Sequence, residues 1–273
     1  MLIEVMKKAR LDQLMVQRGL AESRAKAQAL IMSGVVQVGG VKRDKAGDMV
    51  APDADITVTA AMPYVSRGGY KLAHALDAFG LDPTGLVALD AGASTGGFSD
   101  VLLQRGVGHV YAVDVGYGIL DWKVRSDPRV TPIDRTNIRY LATLPAFDQQ
   151  NEGDVTTLAD CAVVDTSFIS LKLVLPAVQR LTTPEAWVIA LIKPQFEAGV
   201  GLIGKGGVVR DPAVHAMVIR TVLSFASSIE LMPHGLVRSP ITGPAGNIEF
   251  LAWLSGSGPE FDLEHAIVQV LKY

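Results

Sequence analysis

Residues Leu89 to Phe98 read LDAGASTGGF: an apolar strand ending beside an acid, a glycine-rich turn, and the start of a helix. A strand that runs directly into such a turn and then a helix is the opening unit of a doubly wound α/β sheet. The flanking segments repeat the alternation. Leu86 to Asp90 is a short apolar strand, Gly97 to Gln104 has helical spacing with Gly106 as its stop, and His109 to Asp114 is a second strand. The expected fold here is α/β, a Rossmann-like, mostly parallel sheet covered by helices, with its ligand beyond the carboxyl ends of the strands.

The turn also limits the ligand. A nicotinamide-dinucleotide fingerprint is G-x-G-x-x-G, whereas Gly92, Ala93, Ser94, Thr95, Gly96 and Gly97 put Ser94 where the middle glycine would admit a pyrophosphate. A cofactor without phosphates fits better, and S-adenosylmethionine is such a cofactor. Backbone N–H groups between Gly92 and Phe98 can receive its carboxylate, and Asp90 can attract its ammonium. Asp114, ending the next strand, is placed to accept hydrogen bonds from ribose hydroxyls, a spacing that dinucleotide folds share. Asp134, in PIDRTNIRYL, either meets the adenine edge or caps Arg135 or the following turn. The five histidines show no paired spacing and no Cys or acid cluster accompanies them, so no metal is expected.

Upstream of this unit the character of the chain changes. Between Lys7 and Lys45 nine Lys and Arg face three acids, although the whole chain has a net charge of -3. A local excess of positive charge is the footprint of a phosphate-backbone contact. Arg10 to Arg18 reads as a short amphipathic helix closed by Gly19, and Ser23 caps a second helix that ends at Gly34. Arg24 and Lys26 are expected to project from the first turn of that helix toward solvent. After Gly34 the period becomes two, with Gly39-Gly40 as a hairpin turn, and Ile56 to Thr59 can close a small sheet. Arg10, Arg18, Arg24, Lys26, Lys42, Arg43 and Lys45 are the candidate RNA contacts. Met62-Pro63 marks the junction, giving an RNA-binding unit over 1–60, a catalytic unit over 65–256 and a tail over 257–273. Cys161, in the apolar run CAVVD, reads as a buried small hydrophobe. No signal peptide and no run of about 18 to 20 apolar residues is present, so a cytoplasmic protein without a membrane partner is expected.

Four charged residues fall at the ends of apolar segments: Lys71 after SRGGY, Asp165 after CAVVD, Lys193 after AWVIALI, and Glu249 within NIEFLAW. A lysine following seven apolar residues is costly to place unless it is paired or functional. Methylation of a ribose 2'-hydroxyl requires in-line attack within roughly 3 to 3.5 Å and a group that manages the proton, work that lysines flanked by carboxylates can do. Phe168 and Phe196 flank these motifs and either stack on a base or pack in the core.

The set Lys71, Asp165, Lys193 and Glu249 resembles the Lys-Asp-Lys-Glu tetrad of FtsJ-like ribose 2'-O-methyltransferases, which have the class I methyltransferase fold. The stretch RLDQLMVQRGLAESRAKAQALIMSGVVQVGGVKRDKAGDMV resembles the S4-type RNA-binding domain, a small α+β module. YVSRGGYKL, LDAGASTGGFSDVLLQRG, AVDVGYGILDWKVRSDPRV, RTNIRYL, DTSFISL, LIKPQFE and GKGGVVRD resemble the hemolysin A (TlyA) family, which joins the two. The resemblance runs from Ala9 to about Leu254. It implies S-adenosylmethionine-dependent 2'-O-methylation of cytidine in ribosomal RNA, with ribosomal RNA or ribosomal subunits as partner. Members with a longer N-terminus, as Met1 to Arg10 suggests here, act on both small- and large-subunit RNA. By the same resemblance Lys193 lies nearest the attacking hydroxyl, as base or orienter; Asp165 and Lys71 position it and Glu249 completes the network. Asp134 stands where Glu is commoner, and Gly69-Tyr70 where Ala-His also occurs. The rival readings are a lytic protein, after the family's historical name, and a non-catalytic RNA-binding assembly factor.

Overall fold

The computed structural model describes residues 8–32, 34–59, 62–146 and 157–272. The chain divides into two compact units, Met1–Pro63 and Tyr64–Tyr273.

The first unit opens with strand β1 (Ala9–Arg10) and helices α1 (Leu11–Gln17) and α2 (Arg24–Met32). The hydroxyl of Ser23 accepts the Lys26 N–H at 3.2 Å, so the expected cap forms. Strands β2 (Val36–Val38) and β3 (Val41–Arg43) make the hairpin, β4 (Met49–Val50) pairs with β1, and β5 (Ile56–Val58) flanks β2. Gly39 and Gly40 have φ of 59° and 76°, the left-handed pair that a two-residue turn between twisted strands requires. Leu11, Met15, Ala27, Ile31 and Val36 are wholly buried and hold helices and hairpin together.

The second unit begins with α3 (Gly68–Phe79), β6 (Val87–Ala91), α4 (Gly97–Gln104), β7 (His109–Val113), α5 (Trp122–Arg125) and β8 (Val130–Ile133). It continues through β9 (Ala159–Val164), α6 (Leu171–Leu181), β10 (Thr182–Ile192), α7 (Pro194–Glu197), α8 (Pro212–Ser228), β11 (Met232–Arg238), β12 (Phe250–Ser255) and α9 (Leu263–Val270). Seven strands form one sheet in the order β11-β12-β10-β9-β6-β7-β8. From β10 to β8 all neighbours are parallel, whereas β12 runs antiparallel to β10 and β11. The central strands are mostly apolar, as a sheet covered on both faces demands; Val163, Val164, Val188 and Ile189 are wholly buried. Cys161 is buried among them.

The chain leaves β6 toward β7 and β8 on one side, then returns to β9 and β10 on the other. A crevice opens where such a sheet reverses its order. The loops after β6 and β9 therefore meet there, and a Cβ on Gly92 would lie 3.0 Å from the carbonyl carbon and oxygen of Asp165. At the C-terminus, α9 packs its Ile267 into the core of the second unit, and Glu264 pairs with Arg220 at 2.6 Å.

Candidate active site

Each of the four candidate catalytic residues sits where an element meets the crevice. Lys71 is in the first turn of α3, Asp165 and Lys193 directly follow β9 and β10, and Glu249 directly precedes β12. The antiparallel direction of β12 brings its start to the end at which β9 and β10 finish. Lys71 Nζ donates to Glu249 Oε2 at 2.5 Å, and Lys193 Nζ forms an ion pair with Asp165 Oδ1 at 2.5 Å. Lys193 Nζ also donates to the carbonyl of Thr166 at 3.0 Å and to Ser167 Oγ at 2.8 Å. Lys71, Lys193 and Glu249 are 7%, 7% and 1% exposed, so these charges are screened little by water. Burial pushes the Asp165 carboxyl above its ordinary value, while Lys193 and Lys71 pull it back and Glu249 adds to the rise.

The four residues line one pocket of about 430 Å³, together with Ser66, Arg67, Gly68, Gln195, Thr242 and the turn residues Gly92, Ala93, Ser94, Thr95, Gly97 and Phe98. A second pocket of about 530 Å³ is lined by Asp114, Ile119, Thr136, Asn137, Ile138 and Thr166. Gly92, Ser94, Asp165, Ser167 and Phe168 line both. Two adjoining chambers separated by Asp165 and the glycine turn can present one ligand's reactive atom to another.

The family profile of the FtsJ-like methyltransferases matches residues 64–255, and that of the S4 domain matches residues 9–56. The chain belongs to the FtsJ-like methyltransferase family. It is 44% identical over 250 residues to the 16S/23S rRNA (cytidine-2'-O)-methyltransferase TlyA of Mycobacterium tuberculosis, covering 91% of this chain and 90% of that one. It is 39% identical to Hemolysin A of Brachyspira hyodysenteriae, covering 89% and 98%. A solved structure from Streptococcus thermophilus, a hemolysin by name, superposes with a TM-score of 0.71 at 40% identity and covers 98% of this chain and 95% of that one.

Within this FtsJ-like methyltransferase, three residues assigned to the cofactor from sequence do not line either pocket. Asp90 is wholly buried beneath the turn, where its Oδ2 accepts the Ser99 hydroxyl at 2.6 Å and so anchors the first turn of α4. Burial, with Asp165 and Asp114 adding, pushes its carboxyl up to about 7 against the opposing pull of Ser99. Gly96, at φ 89°, turns its back on the pockets because a Cβ would strike Leu120 at 2.8 Å. Asp134 pairs with Arg125 at 2.8 Å, which lowers its carboxyl pKa. Asp114 does face the second pocket, and its two oxygens accept the N–H groups of Ser94 at 2.8 Å and Gly116 at 2.7 Å. The N–H groups of Gly92 and Ala93 are taken by the Val113 carbonyl at 2.9 and 3.1 Å.

Other residues of the site were not singled out from sequence. Gln195 donates to Glu249 Oε1 at 3.2 Å, and Asp100 holds the Val65 N–H at 2.9 Å while pairing with Lys123 at 2.9 Å. Gln195 stood in the LIKPQFE motif, but its role depends on a residue 54 positions away. Phe168 is 89% exposed in a left-handed conformation with φ 62°, its ring 4.9 Å from that of Phe196. Core packing of Phe168 is thereby excluded.

The S4 unit revises the reading of its bases. Arg24 does not simply project into water: with Arg10 and Gln28 it grips the buried carboxylate of Asp12, at 2.9 Å from Arg24 Nε and 3.0 Å for each of the two bonds from Arg10. Asp12 is thereby held well below the usual carboxylate range, chiefly by Arg10. Arg18 donates to the carbonyls of Ala54 and Pro52, and Arg43 lies 3.6 Å from Asp48. Lys26, Lys42 and Lys45 are exposed, with no ion pair among the described residues. Among the described residues, no helix is long and apolar enough to cross a membrane, and no group of His, Cys, Asp and Glu could hold a metal.

Proposed function

We propose that this methyltransferase transfers the methyl group of S-adenosylmethionine to the 2'-hydroxyl of a cytidine ribose in ribosomal RNA, in the cytoplasm where ribosomal subunits are assembled. The observation that carries this reading is the joining of two opposite-sign pairs, Lys71 with Glu249 and Lys193 with Asp165, in one pocket that shares the Asp165 wall with a second. A ribose hydroxyl is a poor acid, and a lysine directed by a carboxylate, a carbonyl and a hydroxyl is suited to orient it and to take or pass on its proton. Lys71, held by Glu249, adds positive charge opposite an oxygen that becomes more negative as it attacks.

S-adenosylmethionine fits the second pocket on the chemistry of its lining. Asp114 supplies a carboxylate for ribose hydroxyls, Ile119 and Ile138 supply apolar walls for a base, and Thr166 Oγ1 is buried without a partner in the protein. The cofactor carries a sulfonium and an ammonium, and Asp114 and Asp165 lie near enough to the buried Asp90 to raise its cost of ionisation. A cation relieves that repulsion. When bound, the cofactor supplies an electrophilic methyl group. Asp165, Gly92 and Ser94, common to both pockets, set the line between that methyl and the hydroxyl.

The basic S4 unit recruits the RNA, with Lys26, Lys42 and Lys45 as free charges and Arg10 and Arg24 as arginines braced on Asp12. The name of the M. tuberculosis relative includes both 16S and 23S RNA, which supports action on both subunits here. The first seven residues of the arm that bears on this choice, Met1 to Arg10, lie outside the described residues.

Incubation with labelled S-adenosylmethionine and unmethylated subunits, followed by mapping of 2'-O-methyl groups, tests the reading. Lys193→Ala is expected to lower transfer by about 10²-fold or more, as removal of a proton-handling group does, with cofactor affinity by calorimetry nearly unchanged. Loss of cofactor binding in that variant would overturn the catalytic role of Lys193; label on a base instead of a ribose would overturn the reaction.

A further inference from the structure

The four most exposed aromatic side chains among the described residues are Phe168 at 89%, Trp122 at 77%, Tyr140 at 75% and Tyr117 at 66%. All four lie after the carboxyl ends of parallel strands: Tyr117 and Trp122 after β7, Tyr140 after β8 and Phe168 after β9. Strongly exposed rings gathered at the ligand-facing rim of a sheet call for a partner, because each leaves apolar area in water that burial would favour by about 25 cal/mol per Å².

Two segments carry the part of this rim that the proposed reaction does not use. Residues 115–122 and 135–140 are bound side by side by the Arg135 N–H on the Gly116 carbonyl at 2.8 Å and the Thr136 N–H on the Asp114 carbonyl at 2.9 Å. The guanidinium of Arg135 lies over the Tyr117 ring at 4.2 Å, and that of Arg139 over the Tyr140 ring at 5.3 Å. Neither arginine has an ion pair among the described residues. The neighbouring acids are already engaged: Asp114 by Ser94 and Gly116, Asp121 by the Lys123 N–H, and Asp134 by Arg125. Arg135 also holds a left-handed backbone at φ 53°, a conformation costly for a residue with a side chain and kept only where the surroundings impose it.

We infer that this face, with Tyr117, Trp122, Arg135, Arg139 and Tyr140 at its centre, is a stacking platform for unpaired nucleotides of the RNA substrate beside the target. The inference rests on the proposed reading of the site as an RNA methyltransferase and adds where the flanking strand runs. Flat rings and guanidinium planes stack on any base, while arginines with no ion pair among the described residues suit phosphates. Val115 and Ile119 line the Asp114 pocket, and Phe168 lines both pockets, so the platform continues from the site rather than standing apart from it. A second copy of the chain fits less well, since a two-fold contact would set these arginines against their own counterparts.

The test uses the full chain and a triple variant, Trp122→Ala, Tyr140→Ala and Arg139→Glu, which replaces two exposed rings and a half-buried arginine, none of them in the core. Four readouts are taken: KM and kcat on unmethylated subunits, affinity for a fluorescein-labelled single-stranded oligocytidine, cofactor affinity by calorimetry, and sedimentation velocity. The expected result is a KM raised and an oligonucleotide affinity lowered by about tenfold or more, as the loss of one or two stacked bases gives, with kcat and cofactor affinity nearly unchanged. Unaltered KM and oligonucleotide affinity would overturn the platform. So would a loss of cofactor affinity, which would make the face part of the cofactor pocket, or a change in sedimentation alone, which would make it a contact between copies. If the wild-type protein methylates no subunit yet the variant loses the oligonucleotide, the platform stands and the proposed reaction falls.

Discussion

At the scale of the residue, the site depends on how closely two loops approach. Gly92 has φ 87°, and a Cβ there would lie 3.0 Å from the backbone of Asp165. An L-residue in that conformation costs about 1–2 kcal/mol before any clash. Gly92→Ala is therefore expected to lower stability by at least that amount and to displace Asp165 from Lys193, so that kcat falls further than the loss of folded protein accounts for. Thermal denaturation and single-turnover transfer check both parts; wild-type values in each would mean the loops do not press on one another. The need for glycine at 92 was legible in the sequence as part of a strand-turn-helix pattern. What it makes room for was not, because Asp165 follows a strand, β9, that joins β6 only in the folded sheet.

At the scale of the element, α4 and α9 show opposite kinds of dependence on the core. The start of α4 rests on Asp90, a carboxylate without solvent whose pKa is pushed up to about 7, first by burial. Below the ordinary carboxylate value of about 4, folded and unfolded chains are both protonated at this position. Between about 4 and 7 the folded chain keeps a proton that the unfolded chain has released, so this group's contribution to stability falls as pH rises and levels off above 7. Asp90→Asn removes that dependence while leaving an acceptor for Ser99. The variant is expected to gain stability relative to wild type from pH 5 to pH 8 in urea denaturation, and a difference independent of pH would refute the assignment. Helix α9 instead adds apolar burial through Ile267, which is 2% exposed. Ile267→Ala should cost about 2–5 kcal/mol, measured by the same titration, and a cost near zero would make α9 an appendage.

At the scale of the whole molecule, charge is divided unevenly. The chain carries a net charge of -3 while the segment from Lys7 to Lys45 is strongly basic. RNA affinity should then fall steeply with salt, and reversing Lys26, Lys42 and Lys45 to Glu should flatten the dependence by about 0.7–0.9 in log-log slope for each phosphate that the protein no longer neutralises. Filter binding across a potassium chloride series reads the slope; cofactor affinity, measured in parallel, should not move. An unchanged slope would remove these lysines from the RNA interface.

Sequence by itself determined the alternation of strands and helices around LDAGASTGGF, the Gly39-Gly40 hairpin, the basic N-terminal module and the four charged residues at the ends of apolar segments. Those features are written in near neighbours, through periodicity and the conformations open to glycine. Tertiary structure alone decided the pairings. Lys71 meets Glu249 across 178 positions because β12 runs antiparallel to β10 and so starts at the end where the parallel strands finish. Asp90 lies under α4 rather than in a pocket, and Arg10 and Arg24 close on Asp12, because burying a carboxylate requires donors at hand. Which donors are at hand depends on what the fold packs together, and no local pattern carries that information.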